Sequence, residues 1–417
     1  MWFYVQYVMI GHQQSYAAAH NIPRGNLSDL YPRWLGAREL LLHHRDPYSA
    51  EMTREIQIGY YGRVLDPSRP YDPEDQQGFA YPVYVVFLLA PTIRLPFWAA
   101  QSGARWLLVL LTAATVPVWL RTLRWRPHAS LAVIFVILAV GSFQTIQGIK
   151  LQQLSLLVNG FIVGAALLLV EGQFFLAGSL AALATIKPQL AFPLSAWLLL
   201  WAVSNWRARR SFVFGFVGTI VALVAGGELV LPGWIGQFRQ AIIAYRRYNN
   251  GAGSTLDLLF QPIWGTVLSV VVVFGLCVVC WRVRRTSNQD PTFSWIIALI
   301  LTATVVIVPK AAPYNQVLLI GPILLVVRHL SFLWRRSFPL RVSLVFAGAL
   351  VFWPWLATLA IAGASLFLPY PELQSAWALP VYDSLVIPLA VFVLVAFVAK
   401  VLHRQESSSP GVQVLAP

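Results

Sequence analysis

Long apolar stretches recur along almost the whole chain after residue 80, and they constrain the fold more than any other feature. A helix that crosses a bilayer needs about 17 to 25 predominantly apolar residues. Eleven stretches satisfy or approach this length, and we predict spans at residues 81–98, 103–120, 129–146, 152–170, 174–201, 211–231, 262–281, 293–309, 313–330, 341–361 and 381–401. Charged residues make up only 11% of the 417, too few to cover a water-soluble globule of this size. The chain is therefore predicted to be an all-α polytopic membrane protein, with 1–417 forming a single integral membrane domain.

The first 19 residues are a marginal twelfth span. The opening "MWFYVQYVMI" is apolar for ten residues, but His12, Gln13 and Gln14 follow it, and no basic residue precedes it. Because a secretory signal needs a charged region ahead of its apolar run, this stretch is not read as one. We expect the chain to begin inside its first membrane helix, which gives 11 or 12 membrane helices in all.

The net charge of +14 comes from short basic clusters between the predicted spans rather than from one basic face. Clusters at 205–210, 281–285, 328–336 and 400–405 are typical of cytoplasmic loops, which carry an excess of Lys and Arg. This explanation makes a nucleic-acid partner unnecessary, and none is expected. The two cysteines, Cys277 and Cys280, lie in one apolar run and indicate no metal site.

Placing those clusters in the cytoplasm divides the rest of the chain. Residues 19–80 become a first extracytoplasmic loop, 81–232 the rest of a catalytic transmembrane module, 233–261 a further outer loop, and 262–417 the C-terminal transmembrane helices. The basic stretch "RTLRWRPH" at 121–128 would then also face outward, against the usual bias. Either one span in the first half is miscounted, or this cluster contacts an anionic group outside.

Residues 19–80 predict two amphipathic juxtamembrane helices. From Tyr31 onward the apolar residues Trp34, Leu35, Leu41 and Leu42 recur near helical spacing, and the charged residues occupy other faces, namely Arg33, Arg38, Glu39 and Arg45. "DPYS" at 46–49 breaks this helix, since the residue before a proline disfavours helical geometry. Met52, Ile56 and Tyr60 then mark a second helix. Both are expected to lie on the membrane surface.

Nine of the 16 acidic residues fall between Asp29 and Asp75, so the acid chemistry is concentrated in this loop. Asp29 opens the first surface helix, where it is either a helix N-cap or a catalytic carboxylate that faces a cavity at the membrane surface. Asp46 is the second choice as a catalytic group, although Asp-Pro is also common turn chemistry.

Only four lysines occur beside 26 arginines, and Lys187 stands out among them. It lies inside the long apolar run 174–201, where a charged side chain is costly and normally lines a cavity or pairs. We interpret it as a cation that holds an anion such as a phosphate, with Gln189 as a polar neighbour. The alternative is that Lys187 snorkels to the surface or pairs silently with a loop acid.

Two further polar segments supply candidate binding groups. "IQGIKLQQLSLLVNG" carries amides that suit a hydroxyl-rich ligand, or that join helices within the bilayer. "PKAAPYNQ" at 309–316 brings a lysine and polar side chains to the outer face. From these segments we select as donor-binding candidates Gln147, Lys150, Lys310, Tyr314 and Asn315.

Together these motifs carry a resemblance to a known family. An Asp soon after the first span, an amphipathic pair with "DPY", a glutamine-rich "Q..G" segment before "N", and "KPQ" within a later helix are similar to the polyprenyl-phosphate-hexose-dependent glycosyltransferases of the GT-C class. Within that class the chain resembles glycosyltransferase family 87, which includes polyprenyl-phosphate-mannose-dependent mannosyltransferases. The resemblance implies about twelve helices, an active site at the outer membrane face, and inverting transfer from a polyprenyl-phosphate sugar.

The resemblance also implies residue roles. Asp29 corresponds to the general base, and Lys187 lies near the donor phosphate. Mannose is the default sugar, although Tyr314 and Asn315 stand where family members often place a histidine. No metal or other cofactor is expected, because a phosphate leaving group needs only cations and dipoles.

The expected partners are a polyprenyl-phosphate-linked sugar donor, a glycolipid or glycan acceptor, and membrane lipids. The expected location is a bacterial plasma membrane, with the active site on the extracytoplasmic side. The alternative function is a non-catalytic transporter or flippase for a lipid-linked glycan, which would spread its charges along a central pathway.

Overall fold

We describe a computed structural model of the chain, over residues 1–25, 28–66, 68–69, 71–248 and 253–407. These residues form twenty α-helices and their connections, and no strand is present among them. The first four lie before the bundle: α1 Ile10–Ala19, α2 Leu30–His43, α3 Ala50–Tyr61 and α4 Val85–Leu89. The next seven are α5 Phe97–Thr122, α6 Ala129–Gly141, α7 Phe143–Lys150, α8 Leu154–Val170, α9 Phe174–Leu183, α10 Pro188–Val203 and α11 Trp206–Val230.

The remaining nine helices complete the chain. They are α12 Trp234–Tyr248, α13 Thr255–Phe260, α14 Pro262–Arg282, α15 Pro291–Ile307, α16 Ile320–Arg328, α17 Leu330–Trp334, α18 Phe338–Ala364, α19 Tyr370–Ser375 and α20 Ile387–Ser407. Four of the twenty, α5, α11, α14 and α18, are each long and apolar enough to cross a bilayer. The predicted class of all-α polytopic membrane protein is confirmed, and α2 and α3 are the two predicted juxtamembrane helices.

The predicted single span at 174–201 is wrong, because the chain reverses direction within it. The rings of Phe174 and Trp201 lie 5.8 Å apart, whereas one continuous helix would separate them by about 40 Å. Helix α9 ends in a 3₁₀ turn at Ala184–Ile186, and α10 begins at Pro188. Proline is favoured at the first helical position and disfavours helical geometry in the residue before it. Lys187 therefore lies at the turn of a helical hairpin rather than in the middle of a span.

The predicted span at 81–98 is also wrong. This region holds only the five-residue α4 and a 3₁₀ turn at Ala90–Thr92. Its prolines, at positions 82, 91 and 96, remove backbone donors and interrupt regular helix. The long helix α5 starts after Pro96 and covers the span predicted at 103–120.

These two corrections resolve the conflict over the basic stretch at 121–128. Arg121 forms an ion pair with Glu171, and Arg124 donates to the carbonyl oxygen of Gln289 at 3.3 Å. A third arginine, Arg328, donates to the carbonyl oxygen of Leu123. The stretch therefore joins the clusters at 205–210, 281–285 and 328–336 at one end of the bundle, which we call the arginine end. A miscounted span in the first half explains the conflict.

Close packing of small residues holds the hairpin against α11. A Cβ atom placed on Gly215 would lie 2.1 Å from the carbonyl oxygen of Phe175, and one on Gly178 would lie 2.1 Å from that of Phe212. Backbones can approach this closely only where side chains are absent, as is common between membrane helices. The α9–α11 contact therefore fixes the hairpin in place.

Gly215→Ala is expected to destabilise the protein by about 1 to 3 kcal/mol, the range for overpacked interiors. The matched control is Gly218→Ala on the same helix, where a Cβ atom would meet nothing within 4 Å. Because alanine favours helix, the control should be neutral or stabilising. Apparent melting temperatures in detergent measure both variants. Equal melting temperatures would contradict the close contact.

Candidate active site

A polar cavity of about 320 Å³ lies at the end of the bundle opposite the arginine end, which we call the cavity end. Its walls come from the loop 19–80, from the hairpin turn, from α12 and from the segment after α15. The residues that line it include Asp29, Asp75, Gln77, Tyr81, Gln153, Lys187, Gln189, Tyr245, Lys310, Tyr314 and Asn315.

Three helices begin at this cavity. Asp29, Gln153 and Lys187 occupy the N-cap positions of α2, α8 and α10 respectively, and all three side chains line the cavity. The N-terminus of a helix carries a partial positive charge, which favours bound anions. The fold therefore directs three such charges towards one space.

The Asp29 side chain does not cap its own helix. It makes no hydrogen bond to the first turn of α2, and its carboxylate instead accepts a hydrogen bond from Gln153 Nε2. Its backbone N–H donates to the Leu151 carbonyl oxygen at 3.0 Å. Burial raises the pKa of the Asp29 carboxyl, while the positive charge of Arg33 opposes this shift. Of the two sequence-based interpretations, the geometry disfavours the plain cap.

The Lys187 ammonium is buried, with the residue only 8% exposed. It donates to Ser155 Oγ at 2.6 Å and to Asn315 Oδ1 at 3.2 Å, and it lies 4.9 Å from the centre of the Tyr314 ring. Within the described residues it forms no ion pair. Lys187 therefore neither snorkels to a lipid-facing surface nor pairs with a loop acid, and it lines the cavity.

Arg33 was predicted on a polar face of the first surface helix, and this prediction is wrong. The residue is 0% exposed. Its Nε donates to the Asp29 carbonyl oxygen at 2.5 Å and its Nη2 to the Gln152 carbonyl oxygen at 3.1 Å, while the guanidinium lies 5.0 Å from the Tyr81 ring centre. Arginine is rarely buried without such partners, which sequence spacing cannot reveal. Arg33 thus holds the start of α2 in place behind Asp29.

Several other predicted residues also reach the cavity. Gln189 follows Lys187 into its wall, and Lys310, Tyr314 and Asn315 arrive from the segment between α15 and α16. The C-terminal region 262–417 therefore contributes to the same cavity as the loop 19–80.

The structure does not bring three of the candidates to the cavity. Lys150 donates to Gln6 Oε1 and lies 3.6 Å from the Trp2 ring centre, so its side chain turns towards the residues that precede α1. Gln147 lies on α7 and is not among the residues that line the cavity. Asp46 accepts a hydrogen bond from the Tyr48 backbone N–H at 2.8 Å, which is the turn chemistry that its proline indicated.

Gln152 of the amide-rich segment 146–160, and Gln144 just before that segment, join elements of the fold. Gln144 donates to Gln316 Oε1 at 3.0 Å, and Gln152 accepts from Ser28 Oγ at 2.5 Å. Only Gln153 of this segment presents its amide to the cavity, at Asp29. The helix-joining alternative therefore describes Gln144 and Gln152, while Gln153 belongs to the site.

Several residues that line the cavity were not predicted from the sequence, among them Asp75, Tyr81 and Tyr245. Tyr245 lies on α12 and accepts a hydrogen bond from Lys310 Nζ at 2.8 Å. The sequence offered one indication that Asp75 belongs to the site, namely its position at the end of the acid-rich segment. It offered none for Tyr81 and Tyr245, since single tyrosines beside spans are common at membrane interfaces.

The fold and the cavity define a polytopic helical membrane protein with a charged site at one end of its helices. The family model for glycosyltransferase family 87 matches residues 79–309, more than half of the chain, and the chain belongs to this family. It is therefore a glycosyltransferase, with a sugar donor and an acceptor as substrates. The match includes Lys187 and begins after Asp29. No curated protein and no solved structure shows a significant match.

Proposed function

We propose that the protein is an inverting hexosyltransferase that uses a polyprenyl-phosphate sugar donor and an extracytoplasmic lipid or glycan acceptor. One observation carries the proposal: a carboxylate, Asp29, and a buried ammonium, Lys187, line the same cavity. A transfer of this kind needs a base for the acceptor and a cation for the leaving phosphate. Membership of a glycosyltransferase family favours it over a non-catalytic flippase.

In this proposal Asp29 is the general base. A sugar hydroxyl is a poor nucleophile, and a positioned carboxylate that accepts its proton contributes about 10²- to 10⁴-fold to the rate. The Gln153 amide orients the carboxylate, and the Arg33 bond to the Asp29 carbonyl oxygen holds its backbone. The raised pKa of Asp29 makes it a stronger base than a free carboxylate.

Lys187 would bind the donor phosphate. An ammonium has three donors, and its bonds to Ser155 and Asn315 leave one for a phosphate oxygen. The N-terminus of α10 adds its partial charge at the same place. The negative charge on the leaving phosphate grows as the glycosidic bond breaks, so both groups stabilise the transition state.

An apolar cavity of about 180 Å³ would hold the first units of the lipid chain. It lies among α6, α16 and α18, where Phe135, Ile323 and Trp355 line it, with the Gln144 and Gln316 amides among the few polar groups. Gln316, which lines this cavity, directly follows Asn315, which lines the active-site cavity, so adjacent residues contribute to the two cavities. The sugar is taken as mannose by default.

We place the arginine end in the cytoplasm, because Lys and Arg concentrate in cytoplasmic loops. The loop 19–80 and the active-site cavity then face outward across what we take to be a bacterial plasma membrane. With 121–128 at the arginine end, every one of the large basic clusters with described side chains agrees with this orientation.

A cysteine introduced at Ser68 should react with a membrane-impermeant maleimide added to intact cells. Ser68 is exposed in the loop 19–80. The background should carry Cys277→Ser, because Cys277 is exposed whereas Cys280 is buried. Ser287→Cys, at the arginine end, is the control and should react only after the cells are opened. The reverse pattern would overturn the proposed orientation.

Asp29→Asn should reduce transfer about 10²-fold or more, since an amide cannot accept the hydroxyl proton. The substitution is nearly isosteric, so folding and donor binding should change little. The assay incubates purified protein with radiolabelled polyprenyl-phosphate hexoses and a membrane-lipid extract. Because the pKa of Asp29 is raised, wild-type transfer should be lost on acidification at a higher pH than for an ordinary Asp. Asp46→Asn is the control, and near-normal turnover in Asp29→Asn would exclude the base role.

Lys187→Met should weaken donor binding as well as turnover, because a phosphate contact exists in both the ground and the transition states. Loss of a hydrogen bond to a charged group corresponds to about 10- to 100-fold in the Kd for polyprenyl phosphate. Lys150→Met removes an ammonium that points away from the cavity and is the matched control. Equal Kd values for the two variants would remove Lys187 from the donor site.

A further inference from the structure

A second cavity, of about 400 Å³, adjoins the active-site cavity. It lies between α3, residues 64–65 and 75–80, and α12. The two cavities share five lining residues, and these form their common wall: Asp75, Gln77, Gly78, Ala80 and Tyr245. A molecule in the second cavity would therefore contact the same Asp75 that lines the active-site cavity.

The common wall is held rigidly from α3. Gln57 Nε2 donates to the Gln76 carbonyl oxygen at 3.1 Å, and the Tyr61 hydroxyl donates to the Asp75 carbonyl oxygen at 2.8 Å. Asp75 Oδ1 accepts from the Gln77 backbone N–H at 3.1 Å. Gln77 has a φ of 53°, a left-handed conformation that costs about 1 kcal/mol or more outside glycine and persists only where the surroundings impose it. The wall is therefore preformed, as binding sites usually are.

The chemistry of the second cavity suits a glycan rather than a lipid chain. The Asp75 carboxylate, the Gln76 and Gln77 amides and the Arg54 guanidinium offer hydrogen bonds to hydroxyls, beside the Tyr48 ring. Arg54 is exposed, so the cavity reaches the protein surface at that side. The apolar cavity assigned to the donor chain shares no lining residue with it.

We propose that the second cavity binds the glycan portion of the acceptor, and that Asp75 positions the acceptor hydroxyl at the junction. This inference rests on the proposed transferase function. The acceptor oxygen forms a bond to the anomeric carbon of the donor sugar as the bond from that carbon to the phosphate oxygen breaks. The hydroxyl proton passes to Asp29, and the polyprenyl phosphate leaves with the bonding electron pair. The two substrates thus meet in the active-site cavity from different sides.

Ala244→Phe tests the proposal, because Ala244 lines the second cavity and not the active-site cavity. The matched control is Ile243→Phe, the adjacent and exposed position on α12. The probes are p-nitrophenyl hexopyranosides as acceptors and a radiolabelled polyprenyl-phosphate hexose as donor. Relative to the control, Ala244→Phe should lower kcat/KM for the acceptor at least tenfold. The Kd for polyprenyl phosphate should agree within twofold between the two variants.

A second pair fills the cavity from the opposite wall, in case Ala244→Phe does not fold. Thr53 on α3 lines the second cavity and not the active-site cavity, so Thr53→Phe should obstruct the acceptor, whereas Thr53→Val, of nearly the same size, should not. Asp75→Asn should raise the acceptor KM more than it changes the Kd of the donor lipid.

The outcomes separate the two proposals. If wild-type protein transfers sugar but the obstructed variants match their controls in acceptor kcat/KM, the acceptor site is wrong and the transferase function stands. If the obstructed variants lose donor binding to the same extent as acceptor use, the second cavity is not a separate acceptor site. If wild-type protein does not transfer hexose from any of the polyprenyl-phosphate donors, both proposals fail.

Discussion

The buried ammonium of Lys187 is the constraint around which the cavity end is built. Removing such a charge from water costs several kcal/mol unless polar groups replace the water. Here the replacements are Ser155, one residue into α8, and Asn315, in the turn before α16. The hairpin turn, the start of α8 and the start of α16 must therefore meet at one point. That meeting point forms one wall of the active-site cavity.

The loop 19–80 closes the opposite wall through two adjacent amides. The Gln152 side chain accepts from Ser28 and the Gln152 backbone carbonyl oxygen accepts from Arg33, while Gln153 donates to Asp29, so the start of α2 is tied to the start of α8. Asp29 and Lys187 line one space without forming an ion pair with each other. Charges kept apart in this way remain available to a substrate that carries both a hydroxyl and a phosphate. A direct ion pair would neutralise both charges and leave neither for a substrate.

The candidate site was partly predictable, and the successes and failures have physical causes. A lysine inside an apolar run is costly enough to indicate a cavity, so Lys187 was found. Lys150 and Gln147 raised the same expectation, yet their side chains lie outside the cavity, because composition cannot tell which way a side chain points. Arg33 was missed for the converse reason, since an arginine on an amphipathic helix normally faces water. Its burial depends in part on the carbonyl group of Gln152, more than a hundred residues away.

The sequence by itself determined the all-helical membrane class, the two helices α2 and α3, and the cost that sends Lys187 to a polar environment. These follow from local hydropathy and periodicity, which act within one turn or one span. Only the tertiary structure decided that 174–201 is a hairpin, that 121–128 joins the arginine end, and that Asp75 and Tyr245 reach the same cavity as Asp29. Hydropathy records how apolar a segment is but not where the chain reverses. Long-range hydrogen bonds and glycine contacts between helices determine where the chain reverses.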